Sequence, residues 1–550
     1  MAAPATAASA ADAPAAPRWV NVALEDQPRD APLQAGSWYT LAFDVDVAQH
    51  ADAIAAAAFA DSSLFPEGGD EVAVSVQLDS ADFEITDPIR TLRVPRSGKS
   101  RNKARFDVSP RHDGASTVTA TLHKDGNFLQ NIVITFTVGG GRAPAIESTA
   151  RGRPPSAASV LRPRDLGLSL ALGVGGYECV VWGEVAARAR LPLQPAYLAS
   201  AIEALRRDLM KVVMQQDANG NYVFQTGIDI ADADRDVALT TMARAGALLF
   251  QKVFFGPGAG ADSKAVGTYL REAASDKSRR LKLQIVAESA PIPWGLLYVG
   301  DAAAGGPLDW DLFVGMRHVI EEISLQTTLT VTDSAIASEP QLAISVNVNT
   351  AIDAQLGITV VADQQAYWAD AKANRQRVGL TSRATRADVV HALADAATDD
   401  QIVYFYCHAE SAGLADPGGP DASALVLSDA RISLGELALD APTTTLLRGR
   451  PLVFINACES AELSPAFYDG FVPYFMAKGA RGVVGTQCKT PALFAAEWAK
   501  RFFDRFLGGA ALGDVFLDLR REFLQTHGNP LGLLYAVHCD GDTRIDPALA

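Results

Sequence analysis

Two apolar runs in the chain end in side chains that do chemistry. QIVYFYC (401–407) leads straight into His408, and PLVFINAC (451–458) ends on Cys458, fifty residues further on. A thiol is a strong nucleophile only as the thiolate, and its ordinary pKa of about 8.5 leaves little of that form at neutral pH. A neighbouring imidazole that takes the proton and later returns it to a leaving amine supplies what the thiol lacks. His408 and Cys458 are therefore the candidate base and nucleophile. A tetrahedral intermediate also needs backbone N–H donors for its oxyanion. The amides of Ala409 and Cys458, where strand is expected to give way to loop, are the candidates. Glu459 and Gln487 are candidate residues of a substrate cleft. Glu459 reads equally as selecting a basic substrate side chain or as capping the next helix.

Such a pair works only if the fold brings its members to one place. IVYFY and LVFI are apolar on both faces, which a mainly parallel sheet covered by helices on each side requires. A sheet of that kind presents functional residues where its strands end, at the carboxyl edge. Fifty residues suffice for a crossover between parallel strands. Around this pair, LKLQIV (281–286), LAISVNVN (342–349) and ARGVVGTQC (480–488) read as further strands. Leu198–Val213, Asp234–Phe250, Asp363–Gln376 and Ala387–Ala397 read as helices, as does a segment with Phe494, Trp498, Phe502 and Phe506 in steps of four.

The rest of the chain divides by composition. Residues 1–18 are expected to be a disordered tail, alanine-rich but without the charged start and apolar core of an export signal. Residues 19–138 carry WVNVAL, SWYTLAFDVDV, EVAVSVQL, STVTATLH and NIVITFTV, alternating segments without intervening helices, and predict an antiparallel β-sandwich. Ala51–Ala60 interrupts them as a short predicted helix. Residues 139–163, rich in Gly, Pro and Ser, read as a linker. Residues 164–550 then form one α/β domain with an N-terminal helical portion.

With these elements in place, IVYFYCHAE, LVFINACESAEL and FVPYFMAKGARGVVGTQ resemble the CHAT group of caspase-like cysteine peptidases. PIPWGLLYVG and the ending NPLGLLYAVHCDGD are in keeping, so the resemblance runs from about Leu281 to the C-terminus. It implies a caspase-like three-layer α/β sandwich and an endopeptidase with His408 and Cys458 as its dyad. It also implies one or a few protein substrates and regulation through the attached β domain, in bacterial defence or programmed cell death. Caspases have their histidine about 50 residues before the cysteine, as here. The chain departs from the pattern at Ala409, where many relatives have glycine, and at Gln487-Cys488-Lys489-Thr490, where many have Trp and Asp nearby. Those departures motivate a second reading, a catalytically inactive scaffold. A thiol hydrolase of small amides or esters is a third.

Composition narrows the field. The formal charge of −16 disfavours direct binding to nucleic acid. A basic cluster, Arg90, Arg93, Arg96, Lys99, Arg101, Lys103 and Arg105, is read as a solvated hairpin with a charged edge; a docking patch for an acidic partner is the sharper alternative. No CxxC or HExxH occurs, so no metal and no cofactor are expected. SGKS at 97–100 has Arg93 where a phosphate loop needs its first glycine, and GVGGYE (173–178) lacks dinucleotide spacing. Five dispersed cysteines and the lack of a long apolar run fit a cytoplasmic protein off the membrane. Cys179 and Cys407 read as space-filling, Cys488 as a weaker second nucleophile, His538 and Cys539 as structural, and His318 and His391 as surface or core residues on helix-like segments.

Overall fold

A strand with every second residue apolar can bury one face and wet the other, and the first part of the chain is built on that rule. Tyr39, Leu41, Phe43 and Val45 are buried, while Thr40, Asp44 and Asp46 are not. The computed structural model describes residues 18–549 except 26, 29–30, 60–64, 66–68, 141–145, 153–161, 174, 288–289, 303–307, 325–333, 376, 411–416 and 459–465, with backbone alone at 59, 151–152, 324, 420, 457–458 and 466–469. Two units emerge: Met1–Lys124 with Leu129–Leu161, and Asp125–Phe128 with Arg162–Ala550.

In the first unit, one five-stranded sheet runs in the order Ala55–Phe59, Arg18–Leu24, Tyr39–Asp46, Ala104–Pro110, Phe83–Ile85. A second runs Ile146–Gly152, Asn127–Val138, Gly114–Lys124, Glu71–Asp79, Ile89–Pro95. Their inner faces share one core, with Val20, Phe43 and Phe106 from the first sheet meeting Val74, Leu122 and Ile134 from the second. This is an all-β sandwich. Three expectations are corrected within it. The alanine run is no helix: Ala55–Phe59 pairs antiparallel with Arg18–Leu24, and ladder bonding outweighs alanine's helix preference. The basic cluster is no hairpin, because Ile89–Pro95 and Ala104–Pro110 lie in different sheets and residues 96–103 cross between them. Part of the expected linker is strand. Ile146–Gly152 lies at a sheet edge, where backbone pairing with Asn127–Val138 needs no apolar alternation to announce it.

The second unit opens with strands that precede the expected helices. Leu166–Gly173, Gly176–Gly183 and Ala187–Leu191 form an antiparallel run, and Leu166–Gly173 continues in parallel onto Lys282–Ala287 and then Val319–Ser324. Gly173 is the register partner of Gly176 at the end of this hairpin, and the φ of +80° at Gly175 and +148° at Gly176 are angles that glycine adopts without strain. Helices Pro195–Val213, Asp232–Phe254 and Ala261–Ser275 follow.

The main sheet runs Val378–Arg383, Leu342–Val348, Ile402–Glu410, Leu452–Cys458, Gly482–Thr486, Tyr535–His538, with every pairing parallel except the last. One face carries Tyr404, Tyr406 and Phe454 against Trp368 of helix Val360–Asn374 and the aromatic stripe of helix Ala492–Leu507. Trp498 of that stripe stacks on Tyr535 with ring centroids 4.6 Å apart. The other face carries Val403, Phe405, Val453 and Ile455 against Val389, Leu437, Phe471 and Phe475 from helices Arg386–Ala394, Leu434–Asp440 and Ala466–Ala477. Helices on both faces of a mainly parallel sheet make a three-layer α/β sandwich. Among the described residues, no helix is long and apolar enough to cross a membrane.

A buried charge cluster ties the start of this unit to its end. The Arg164 guanidinium donates to both Glu321 oxygens at 2.7 and 2.8 Å, to Asp540 at 3.0 Å and to Asp542 at 2.9 Å. Its side chain is 1% exposed and that of Glu321 2%. Removing one member of such a cluster strands the other charges away from water. Arg164→Ala is therefore expected to lower the unfolding free energy by about 3–5 kcal/mol in a denaturant titration. Arg162→Ala, with exposed and longer ion pairs, should change it by less than about 0.5 kcal/mol.

Candidate active site

The two strands that end in the candidate pair are immediate neighbours. Ile402–Glu410 and Leu452–Cys458 run parallel with Ile402 opposite Leu452, Tyr404 opposite Phe454, Tyr406 opposite Asn456 and His408 opposite Cys458. Register partners in a parallel ladder lie on the same face of the sheet. His408 and Cys458 occupy one rung of the backbone ladder at the carboxyl edge, and His408 continues the alternation of Tyr404 and Tyr406. Cys407 lies on the opposite face, buried with Phe405 and Ala409.

His408 is 7% exposed, and its Nε2 lies 3.0 Å from Oε1 of Gln355. Gln355 belongs to the short helix Ala351–Leu356, which follows strand Leu342–Val348. The sequence did not single it out, since one glutamine on a polar surface helix carries no pattern. Beyond His408 the strand continues to Glu410, with Ala409 buried opposite Leu425. Ala409 is accordingly not at a strand-to-loop boundary, as expected, because the short strand Ala424–Val426 extends the ladder past His408. Its direction is nonetheless informative. The Tyr406 carbonyl accepts from Asn349 on the Leu342–Val348 side, so by alternation the Ala409 N–H faces the Cys458 strand. Leu452 donates to the Gln401 carbonyl, and the same alternation turns the Cys458 N–H toward Ile402–Glu410. Both amides face one seam.

Asn456 holds the end of the cysteine strand. Fully buried, it donates to the Ala495 carbonyl at 2.8 Å and to the Tyr404 hydroxyl at 3.2 Å, and accepts from the Tyr535 hydroxyl at 2.6 Å. Tyr404 in turn donates to Gln364, which donates to the Ala496 carbonyl. The asparagine of the N-A-C run is thereby a structural anchor. Glu459 lies outside the described residues. Gln487 follows strand Gly482–Thr486 at the same sheet edge, but it is buried. Its N–H bonds to the Leu534 carbonyl at 2.7 Å, and its Oε1 accepts from Arg206 at 3.2 Å. With Trp294, Glu322, Arg520 and Tyr535 it lines a cavity of about 10 Å³, room for a water and not for a substrate side chain.

The remaining candidates separate by burial. Cys488 is buried, and its thiol is pushed up to about 12 by loss of hydration, which Arg206 only partly offsets. It is a poor nucleophile. His318 is buried and accepts from the Leu281 N–H at 3.1 Å, with burial pushing it down to about 3. His391 is exposed on helix Arg386–Ala394. His538 Nδ1 lies 3.5 Å from Glu322. Burial pushes the imidazole down to about 4 and the carboxyl up to about 8, the latter against the pull of Arg520. At neutral pH the two are a neutral ring beside a mostly neutral acid. Among the described residues, no cluster of His, Cys, Asp or Glu could hold a metal ion.

Residues 259–526 match the CHAT domain family. A probable protease of Vitiosangium sp. (strain GDMCC 1.1324) is 36% identical over 143 residues, 24% of this chain and 17% of that protein. Two structures of the Saccharomyces cerevisiae separase–securin complex, at 2.6 and 3.0 Å resolution, align with TM-scores of 0.38 and 0.35 at 8% identity, covering 68% of this chain and 30% of theirs. The chain thus spans less than a third of the length of these relatives.

Two outcomes follow from the burial pattern. Brief alkylation of the native protein near neutral pH is expected to leave Cys488 unmodified, with labelling there, read by peptide mass spectrometry, appearing only on unfolding. Glu322 binds a proton in the folded state up to about pH 8 but in the unfolded chain only up to about its ordinary 4.5. Its contribution to stability is full below that lower value and is lost as pH rises through the upper one. Denaturation midpoints of the wild type should therefore fall relative to Glu322→Gln between pH 5 and pH 8.

Proposed function

We propose that this protein is a cysteine endopeptidase in which His408 and Cys458 act as base and nucleophile on a protein substrate. The observation that carries the reading is the shared rung: residues far apart in the chain stand opposite each other at the carboxyl end of two parallel strands. The CHAT domain and the partial likeness to a probable protease support it.

In this mechanism the imidazole takes the thiol proton and the thiolate attacks the scissile carbonyl. The negative charge passes to the carbonyl oxygen, and the imidazolium protonates the departing amine. Water, deprotonated by His408, then hydrolyses the thioester. The Ala409 and Cys458 amides, both facing the seam, serve the oxyanion on condition that the ladder opens or stops at this rung. The β-sandwich recruits or restrains: it docks a substrate or a regulatory partner. Activation of an effector by cleavage, in bacterial defence or cell death, is the role that the family resemblance suggests.

The test is to incubate the full chain with proteins encoded beside its gene and look for fragments. Cleavage should fall by a factor on the order of 10³ or more in Cys458→Ala and in His408→Ala. Equal fragments from the wild type and Cys458→Ala would remove Cys458 from the mechanism.

A further inference from the structure

We infer that Gln355 is a positioning residue for His408, setting which ring nitrogen faces the thiol chemistry; the inference rests on the dyad reading above. The Gln355 side-chain oxygen stands 3.0 Å from His408 Nε2. An amide oxygen only accepts, so this contact is a hydrogen bond only in the form with the proton on Nε2, the form whose lone pair for a thiol proton lies on Nδ1. Once Nδ1 is protonated, the same bond becomes charge-assisted and stronger, which favours the thiolate–imidazolium state over the neutral pair. Glutamine does this without a charge of its own.

Gln355 can hold a ring only if its short helix is held, and it is tied to the rung that carries His408. Asn349 accepts from the Ala351 N–H at 2.9 Å and donates to the Val426 carbonyl at 3.1 Å. Val426 is the register partner of His408. Thr350 is bonded through its N–H and its hydroxyl to the Ser428 hydroxyl, each at 2.9 Å. At the other end, the Asp353 carboxylate accepts from the Val361 and Ala362 amides at 2.9 Å each, and the turn closes at Gly357 with φ +67°. The glutamine side chain itself is exposed, so replacing it empties no core.

The experiment needs no substrate. Rates of iodoacetamide alkylation at Cys458 are followed by peptide mass spectrometry from pH 5 to 9 in the full-length wild type, Gln355→Leu, Gln355→Glu and His408→Ala. Gln355→Leu keeps the bulk and loses the acceptor: the rate at pH 7 should drop about tenfold, and the midpoint of the pH profile should move up. Gln355→Glu is a stronger acceptor and should move the midpoint down while keeping the neutral rate. Opposite shifts are the signature of positioning, because general loosening of the site would move both variants the same way. If His408→Ala slows alkylation while both Gln355 variants overlay the wild type or shift together, the inference falls and the dyad stands. If Cys458 shows no His408-dependent reactivity, the dyad reading falls and takes the inference with it.

Discussion

The site depends on the register between two parallel strands. A slip of one residue would take His408 out of register with Cys458 and turn its imidazole to the other face of the sheet, because side chains alternate along a strand. Here the register is held by what lies below the edge. Tyr404 opposite Phe454 and Tyr406 opposite Asn456 bury their side chains beneath the aromatic helix, while Val403, Phe405, Val453 and Ile455 fill the other face. Either strand, shifted by one, would send its own large apolar side chains to the wrong layer. Packing of the core is therefore also the alignment of the candidate pair.

Buried polar groups add direction to that packing. Apolar contacts tolerate small rotations, whereas a fully buried amide must satisfy its hydrogen bonds or lose their free energy. Asn456 reaches Ala495, Tyr404 and Tyr535, and so ties the cysteine strand to its neighbour on one side, to strand Tyr535–His538 and to the helix above. The Arg164 cluster acts likewise at longer range in sequence, joining residues on either side of the whole domain. Both sets hold together elements that the chain itself does not connect directly.

Much of this architecture was legible. The doubly apolar runs ending in His408 and Cys458 read as strands of a mainly parallel sheet, and in the structure they are parallel and adjacent. The four-residue aromatic spacing was read as a stripe facing a sheet, and Phe494, Trp498, Phe502 and Phe506 line it. The reading failed where the pattern was weak. Ala55–Phe59 and Ile146–Gly152 gain stability from backbone pairing with a partner strand, which leaves no trace in side-chain periodicity. Strands Leu166–Gly173 and Gly176–Gly183, followed by several helices, were absorbed into an expected helical portion, though their alternating apolar residues pair along their length. Gln487 was placed at the right edge of the sheet, but which way its side chain turned was a matter of the Arg206 helix packed over it.

Sequence alone determined the residue types able to form a nucleophile–base pair and the local propensity that puts each at the end of a buried strand. Those properties reside in short windows, where alternation, apolar runs and turn residues act between near neighbours. Only the tertiary structure decided that the two strands share a rung, that Gln355 meets the imidazole, and that Cys488 is sealed from water. Such facts arise from contacts between segments tens to hundreds of residues apart, and no local preference encodes which surfaces will meet. A thiol's ionisation shows the division most plainly: its chemistry is intrinsic, but its hydration belongs to the fold.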